Sequence, residues 1–187
     1  INDLNKYLPA LHKVADLSMT AEQMKDGIFL GLALDGLKQI PDNTIDLIIA
    51  DPPESPWRSL DQRGNPMTIQ EYFQWNENWL DESFRVLKPT GAIYLICGWR
   101  YSGMYHSLLS NNFQIQTRIT WRNVTSKDQP TPVTWINRTS DIWYASKTKE
   151  FMFNQEAVTN QEKAMNPIET TEMGITNLWS DIMDIQV

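Results

Sequence analysis

The stretch I-D-L-I-I-A-D-P-P-E, residues 45–54, decides the fold of this chain. It is an apolar run closed by two prolines, which predicts a buried strand of a parallel sheet over residues 45–50. Asp51 then stands directly after the strand, at the carboxyl edge where open α/β sheets bind their ligands. Because proline fixes φ and restricts the residue before it, the carbonyls that follow Asp51 are held stiffly. The stretch therefore predicts a cluster of acceptors that could hold an amino group.

Strands and helices alternate on both sides of this stretch. A capping box at residues 68–71 predicts the start of a helix that ends at the K-P-T-G turn of residues 88–91. The residue pattern predicts further helices over residues 2–15 and 102–109 and a short helix after Asp35 up to Ile40, and further strands over residues 28–33, 92–97, 113–121 and 141–146. This alternation predicts an α/β fold with a doubly wound, largely parallel sheet, in a single domain over residues 1–187.

Three polar segments interrupt the pattern. Residues 54–67 form a loop that is too long for a plain connector and is therefore predicted to be functional. Residues 122–140 and 154–176 are polar and weakly patterned, and we interpret them as recognition segments or loop insertions. Residues 122–140 interleave basic and aromatic side chains, a mixture that suits phosphate and base contacts, although such a run can also be only a solvated loop.

Composition limits the classes of function. With 187 residues and 41% hydrophobic content the chain can fold around a real core. The net charge of −7 argues mildly against a large nucleic-acid footprint. The single cysteine, Cys97, lies in an apolar run and is predicted to be a buried thiol, and His12 and His106 lack partner ligands, so no metal site is expected. The absence of a long apolar stretch and of a signal peptide predicts a cytoplasmic protein without a membrane partner.

Five segments in a fixed order carry a resemblance to a known family. They read L-A-L-D-G-L-K-Q-I-P-D-N-T-I-D-L-I-I-A-D-P-P, then W-L-D-E-S-F-R-V-L-K-P-T-G-A-I-Y-L-I-C-G, then I-T-W-R-N, then D-I-W-Y-A-S-K-T-K-E-F-M-F-N, and finally T-N-L-W-S-D-I. In this order the chain resembles the β-group amino methyltransferases of bacterial restriction–modification systems. That family methylates the N6 amine of adenine or the N4 amine of cytosine in DNA.

The resemblance implies a cofactor and a set of roles. The sheet is expected to bind S-adenosylmethionine, with Asp35 near the cofactor at the end of a neighbouring strand and Asp51 beside it. Asp51 and the carbonyl of Pro52, followed by Pro53, would accept hydrogen bonds from the amine of a base flipped out of double-stranded DNA. Methyl transfer would then be direct and in line, with positioning and electrostatics supplying the rate. Aspartate before the two prolines favours adenine N6.

The expected contacts with DNA come from outside this motif. They are Trp57 and the side chains of the basic segment, namely Arg122, Lys127, Trp135 and Arg138. The expected partners are double-stranded DNA and either a second copy of the chain or a separately encoded restriction endonuclease.

Two departures from the family keep alternatives open. Glu54 stands where the family carries an aromatic residue that stacks on the flipped base. Either Trp57 substitutes for it, or the protein is impaired, or residues are skipped between Pro53 and Glu54. The family's glycine-rich cofactor loop is also not found in these residues, which start at Ile1 and are expected to be trimmed. The chain is therefore expected to be a fragment, a split subunit or a degenerate homologue. The competing functions are a non-catalytic DNA-binding or partner subunit and a methyltransferase that acts on RNA or a small molecule.

Overall fold

The computed structural model describes residues 11–13, 20, 22, 24–61, 63–123, 132–165 and 175–180. In chain order the elements are β1 (Leu11–Lys13), β2 (Ile28–Leu30), α1 (Ala33–Gln39), β3 (Ile45–Ala50), α2 (Ile69–Val86), β4 (Leu87–Gly98), α3 (Trp99–Asn112), β5 (Gln114–Arg122), β6 (Thr139–Ser146), α4 (Gln155–Met165) and β7 (Leu178–Trp179), with a short 3-10 turn at Pro56–Arg58. None of the helices in these ranges is long and apolar enough to cross a membrane.

The main sheet in the described ranges has five strands in the order β3-β4-β6-β5-β7. β3 is parallel to β4, β5 is parallel to β7, and β6 runs antiparallel to both β4 and β5. Four of the five strands therefore point the same way. Helices α2 and α3 pack on this sheet around a core that includes Trp79, Leu95 and Leu109. The prediction of an α/β fold with a largely parallel sheet is confirmed.

The strand β3 forms as predicted over residues 45–50, but it is not buried on both faces. Ile45, Ile48 and Ala50 pack against the core, whereas Leu47 and Ile49 are 50% and 70% exposed. Composition cannot distinguish a strand covered on both faces from one that is covered on one face. Within the described residues, β3 hydrogen-bonds to β4 alone and forms an edge of the sheet.

The amino-terminal predictions need correction. Residues 28–33 were expected to form a buried strand, yet β2 covers only Ile28–Leu30, and Ile28 and Leu30 are more than half exposed. β2 pairs in parallel with β1 in a separate two-stranded sheet. The helix expected over residues 2–15 is wrong at residues 11–13, which pair as a strand, because apolar spacing does not register a strand partner. The rest of that prediction lies outside the described residues.

Helix α2 begins where its capping signal predicts. The Thr68 hydroxyl oxygen accepts from the backbone N–H of Glu71 at 3.2 Å, and the Glu71 carboxylate accepts from the backbone N–H of Thr68 at 2.7 Å. This reciprocal capping box satisfies two donors at the helix start and fixes its first turn. The chain passes directly from Val86 into β4, so the polar residues 88–91 belong to the strand rather than to a turn.

Two cations donate to backbone carbonyls around the carboxyl ends of α1 and α2. The Arg85 guanidinium donates to the carbonyls of Leu37 and Ile40, both at 2.9 Å, and pairs with Asp42 at 2.6 Å. The Lys147 ammonium donates to the carbonyl of Leu87 at 2.7 Å. Because carbonyls at a helix end can accept further donors, the Arg85 contacts hold the end of α1 against α2.

In the carboxyl-terminal half, the predicted strands are confirmed and one further helix is present. β5 and β6 form where alternation predicts them, and α3 covers the predicted helix with extra turns at both ends. Residues 155–165, which belong to the segment interpreted as a recognition segment or loop insertion, form α4. The Asn154 side-chain oxygen accepts from the backbone N–H of Ala157 at 3.0 Å. An asparagine that caps a helix start favours the helix, but a search for apolar periodicity does not detect it. Residues 166–174 lie outside the described ranges.

Candidate active site

The carboxyl ends of three strands meet at one edge of the sheet. β3, β4 and β5 run in the same direction and end at Ala50, Gly98 and Arg122, and β6 begins at this edge with Thr139. The register pairs Ala50 with Leu95 and Gly98 with Ser140. This is the edge at which open α/β sheets bind ligands, and the crossover from β3 into loop 54–67 leaves the sheet here.

Asp51, Pro52 and Pro53 follow β3 at this edge. Asp51 and Pro53 are exposed and Pro52 is half-buried. The pKa of the buried Tyr105 is raised, mainly by burial and then by its hydrogen bond with Tyr72. The Asp51 carboxylate adds a smaller contribution to this shift. The motif therefore combines an exposed carboxylate with a small contribution to the pKa of the buried Tyr105.

A cavity of about 630 Å³ adjoins the motif. Its volume lies within the range of small-molecule sites, which is about 300–1,000 Å³. The lining is mostly apolar and comes from the ends of β2 and α1, from β3 and from α2, with one carboxylate. The lining residues include Phe29, Gly31, Ala33, Gly36, Leu37, Ile45, Ile48, Asp51, Pro52, Pro53, Trp75 and Trp79.

Asp35 does not occupy the position expected of it. It lies in the first turn of α1 and is exposed, five residues after the last residue of β2, rather than at the end of a strand. Its neighbours Ala33 and Gly36 line the cavity, and Asp35 itself does not. The difference arises because the strand ends at Leu30, earlier than the apolar run suggests. The contact between Asp35 and a cofactor stays a prediction.

The described residues of loop 54–67, namely 54–61 and 63–67, make internal hydrogen bonds rather than an open connection. Pro56 and Ser59 are buried, and the backbone N–H of Met67 donates to the carbonyl of Ser59 at 3.0 Å. The Asp61 carboxylate accepts from the backbone N–H groups of Arg63 and Asn65, both at 2.8 Å. These bonds hold the pKa of Asp61 below its usual value, and the bond from Asn65 has the largest effect. They fix the turn at the tip of the loop.

Trp57 lies on the 3-10 turn of this loop, and its side chain is 68% exposed. The side chain of the preceding Glu54 pairs with Arg58 at 3.3 Å, so the carboxylate at the aromatic position of the motif joins a local ion pair. The loop therefore offers a solvent-facing indole three residues after Glu54. The three interpretations of Glu54 given above remain predictions.

The structure brings two of the predicted DNA contacts together. Arg122 ends β5 opposite Thr139, and the backbone N–H of Asn123 donates to the carbonyl of Arg138 at 2.8 Å. Arg122, the last residue of β5, and Arg138, the residue before β6, thus lie on neighbouring segments at the same edge as Asp51. Trp135 is 94% exposed in the segment before β6. Lys127 lies outside the described residues.

Sequence reasoning missed a polar network behind the motif. The Tyr72 hydroxyl donates to the carbonyl of Pro53 at 2.5 Å, and Tyr105 and Asn76 continue the network into the core. The available signal was a tyrosine and an asparagine four residues apart on the buried face of one helix, where polar groups need partners.

Comparisons with known proteins agree with this architecture. Residues 45–185 match the model of a family described as DNA methylase. The Type II methyltransferase M.HpaI of Haemophilus parainfluenzae is 33% identical over 91 residues, which cover 48% of this chain and 29% of that protein. The chain spans less than half the length of curated relatives that it matches, between 29% and 45% in four of them.

Solved structures share the fold. The PvuII DNA methyltransferase, named as cytosine-N4-specific, superposes with a TM-score of 0.60 at 18% identity over 84% of this chain and 56% of that one. A DNA modification methylase of Thermus thermophilus, TTHA0409, solved in complex with S-adenosyl-L-methionine, gives a TM-score of 0.55 at 16% identity over 94% and 67%. Since the family model covers about three quarters of its residues, the chain belongs to the N6/N4 DNA methylase family.

Proposed function

We propose that this chain carries the base-binding part of an S-adenosylmethionine-dependent DNA methyltransferase that modifies an exocyclic amine, with adenine N6 preferred over cytosine N4. One observation carries the proposal: Asp51-Pro52-Pro53 stands at the carboxyl end of β3, exposed at the sheet edge, and lines a cavity of about 630 Å³. The family match supports the class of reaction.

The cavity is compatible with the cofactor. Its lining combines apolar and aromatic side chains with a single carboxylate, which suits a ligand that joins an aromatic ring to charged groups. S-adenosylmethionine would supply an electrophilic methyl group to the site. On the side of this chain, Phe29, Trp75 and Trp79 offer apolar contacts, and Asp51 and Asp35 are the proposed polar contacts.

Asp51 and Pro52 are proposed to hold the target amine. An exocyclic amine has two N–H groups, and the Asp51 carboxylate and the Pro52 carbonyl are two acceptors on consecutive residues. Hydrogen bonds to both acceptors turn the nitrogen lone pair away from the base ring and orient it for attack. As positive charge develops on the nitrogen, the carboxylate stabilises it, which is the electrostatic part of the catalysis. Pro53 keeps the backbone that carries these acceptors rigid.

The DNA would lie across the same sheet edge. Arg122 and Arg138 are placed for phosphate contacts, and Lys127 is proposed to join them. Trp57 is proposed to stack on the flipped base in place of the family's aromatic residue, and Trp135 is proposed to contact DNA beside the arginines. The proposed partner is double-stranded DNA in the cytoplasm, with a second copy of the chain or a separately encoded restriction endonuclease as a further partner.

A direct assay tests this proposal. The intact protein is incubated with duplex DNA and methyl-labelled S-adenosylmethionine, and the digested nucleosides are separated by mass spectrometry. The expected product is N6-methyladenine. N4-methylcytosine would keep the class of reaction and overturn the preference for adenine, whereas label in RNA but not in DNA would replace the substrate.

A second candidate is a methyltransferase-like subunit that binds DNA without catalysis. Its support is Glu54, which occupies the aromatic position of the motif and pairs with Arg58. Isothermal titration with S-adenosylmethionine separates the two candidates. If the intact protein binds DNA but not the cofactor, the enzyme is ruled out and the binding subunit stands.

A further inference from the structure

A buried hydroxyl network lies directly behind Asp51-Pro52-Pro53. From its geometry we infer that Tyr72 is a positioning residue of the site: it holds the Pro53 carbonyl, and so it sets the direction in which loop 54–67 leaves the motif. The effect on the position of the loop is independent of any reaction. Its effect on catalysis rests on the proposed methyltransferase function.

Three buried side chains form the network that reaches the Pro53 carbonyl. Tyr72 and Asn76 are fully buried, and Tyr105 is 1% exposed. The Tyr72 hydroxyl lies 2.5 Å from the Pro53 carbonyl oxygen and 3.0 Å from the Tyr105 hydroxyl. The Tyr105 hydroxyl lies 2.9 Å from the Asn76 side-chain oxygen. The hydroxyls of Tyr72 and Tyr105 and the side-chain oxygen of Asn76 therefore all have hydrogen-bond partners within the network.

Counting protons fixes the direction of the key bond. A carbonyl can only accept, so the single hydroxyl proton of Tyr72 goes to Pro53. The Asn76 amide nitrogen donates to the backbone carbonyl of Tyr72 at 2.8 Å, which leaves its oxygen to accept from Tyr105 and from the Trp79 indole at 2.9 Å. The Tyr105 proton then points to Asn76 or to the Tyr72 oxygen. In either arrangement Tyr72 remains the donor to Pro53.

Tyr72 restricts the one backbone dihedral of Pro53 that its ring leaves free. Their rings fix φ at residues 52 and 53, but ψ of Pro53, which orients the next peptide, is not fixed by the ring. A hydrogen bond to the Pro53 carbonyl fixes that peptide. Burial raises the pKa values of both phenols, Tyr72 and Tyr105, so both hydroxyls keep their protons at neutral pH.

The same helix holds both ends of the loop. The loop enters α2 at Thr68, where the capping box fixes the first turn, and Tyr72 lies in the next turn. Within the loop, the backbone N–H of Arg58 donates to the Ser55 carbonyl at 3.1 Å, next to the buried Pro56. With its start bonded to Tyr72 and its end continuous with Thr68, the loop that carries Trp57 is fixed relative to Asp51.

Hydrogen exchange tests the positioning role without any assay of activity. Tyr72→Phe keeps the ring and removes the donor, and we expect the amides of Arg58 and Ser59 to exchange about tenfold faster, as the loss of one buried hydrogen bond implies. Tyr105→Phe retains the bond to Pro53 and is expected to have a smaller effect. Tyr94→Phe, which removes a phenol hydroxyl elsewhere in the sheet, is the matched control. The Lys147 amide, bonded to the Gly91 carbonyl, reports any global change.

Kinetics of the intact protein tests the consequence for catalysis. We expect Tyr72→Phe to lower kcat for DNA methylation by about tenfold to a hundredfold, as small misplacements of reacting groups do, with KM for S-adenosylmethionine unchanged. If loop exchange and kcat both match Tyr94→Phe, the inference is overturned. Faster loop exchange with unchanged kcat overturns the catalytic part alone. Faster loop exchange in a protein that methylates no nucleic acid overturns the proposed function and leaves the positioning role standing.

Discussion

The backbone N–H of Asn123 donates to the carbonyl oxygen of Arg138 at 2.8 Å, one residue beyond the pairing of β5 with β6. This bond closes the base of the segment between the two strands and sets Arg122 beside Arg138. By register, Ile119 is level with Ile142 and Ile96, and Asp51 follows the residue paired with Leu95. Arg122 thus stands three residues, or about 10 Å, beyond the level of Asp51 along the sheet.

The two arginines are predicted to contact phosphates. Arg122→Gln and Arg138→Gln should each weaken binding of duplex DNA for all sequences alike, and each should reduce the slope of log K against log salt by about one. Fluorescence anisotropy over a range of salt concentrations measures the slope. Lys149→Gln removes one exposed charge at the opposite edge of the sheet and serves as control. If all three variants change the slope equally, Arg122 and Arg138 have no special role.

Trp57 is predicted to stack on a base. Trp57→Ala should lower the affinity for DNA that carries an extruded base by about 1–3 kcal/mol, and Trp57→Phe should retain most of that affinity because it keeps an aromatic face. Titration with DNA that contains 2-aminopurine at the target position reports the stacking. Phe153→Ala removes another exposed aromatic side chain, after β6 and remote from the motif, as control. If Trp57→Phe loses as much DNA affinity as Trp57→Ala, Trp57 does not stack on the base.

The turn at the tip of loop 54–67 is predicted to be sensitive to acid. Backbone donors lower the pKa of Asp61 in the folded protein from its usual 3.8. A group with a lowered pKa stabilises the fold fully above the unfolded value, and this contribution is lost as the pH falls through the folded value. The stabilities of the wild type and Asp61→Asn should therefore differ at neutral pH and converge below pH 3.8. Thermal unfolding at a series of pH values measures this, and a constant difference would refute it.

Cys97 is predicted to be inert in the folded protein. Burial, helped by the Asp141 carboxylate, raises the pKa of its thiol from 9.0 to about 12, so the reactive thiolate is about a thousandfold rarer than for a free thiol. Alkylation by iodoacetamide, followed at this residue by peptide mass spectrometry, should be negligible until denaturant unfolds the chain. Alkylation at the rate of a free thiol under native conditions would contradict the burial of β4.

Much of this architecture is encoded locally. The Thr68 capping box, the bounds of the strand that precedes Asp51 and the strand β5 depend on residues close in sequence, and all three form where they are predicted. The short extent of β2 and the strand at residues 11–13 depend on pairing between distant segments, which periodicity does not register.

In the site, too, some features depend on residues close in sequence and others on contacts between distant segments. The position of Asp51 at a strand end follows from the local pattern, whereas the bond from Tyr72 to Pro53 joins residues that are nineteen apart. The pairing that brings Arg138 beside Arg122 also depends on a long return of the chain. Contacts of this kind arise from the packing of whole elements and are visible only in three dimensions.

The most direct test of the account is methyl transfer by an Asp51 variant. In the intact protein, Asp51→Ala should reduce the rate of DNA amine methylation by at least about 10²–10³, the usual effect of removing one preorganised electrostatic partner, while DNA affinity stays close to that of the wild type. Asp46→Ala removes an exposed carboxylate near the other end of the same strand, where it pairs with Lys88, and should retain turnover. Unchanged turnover in Asp51→Ala would contradict the assignment of the amine-binding site.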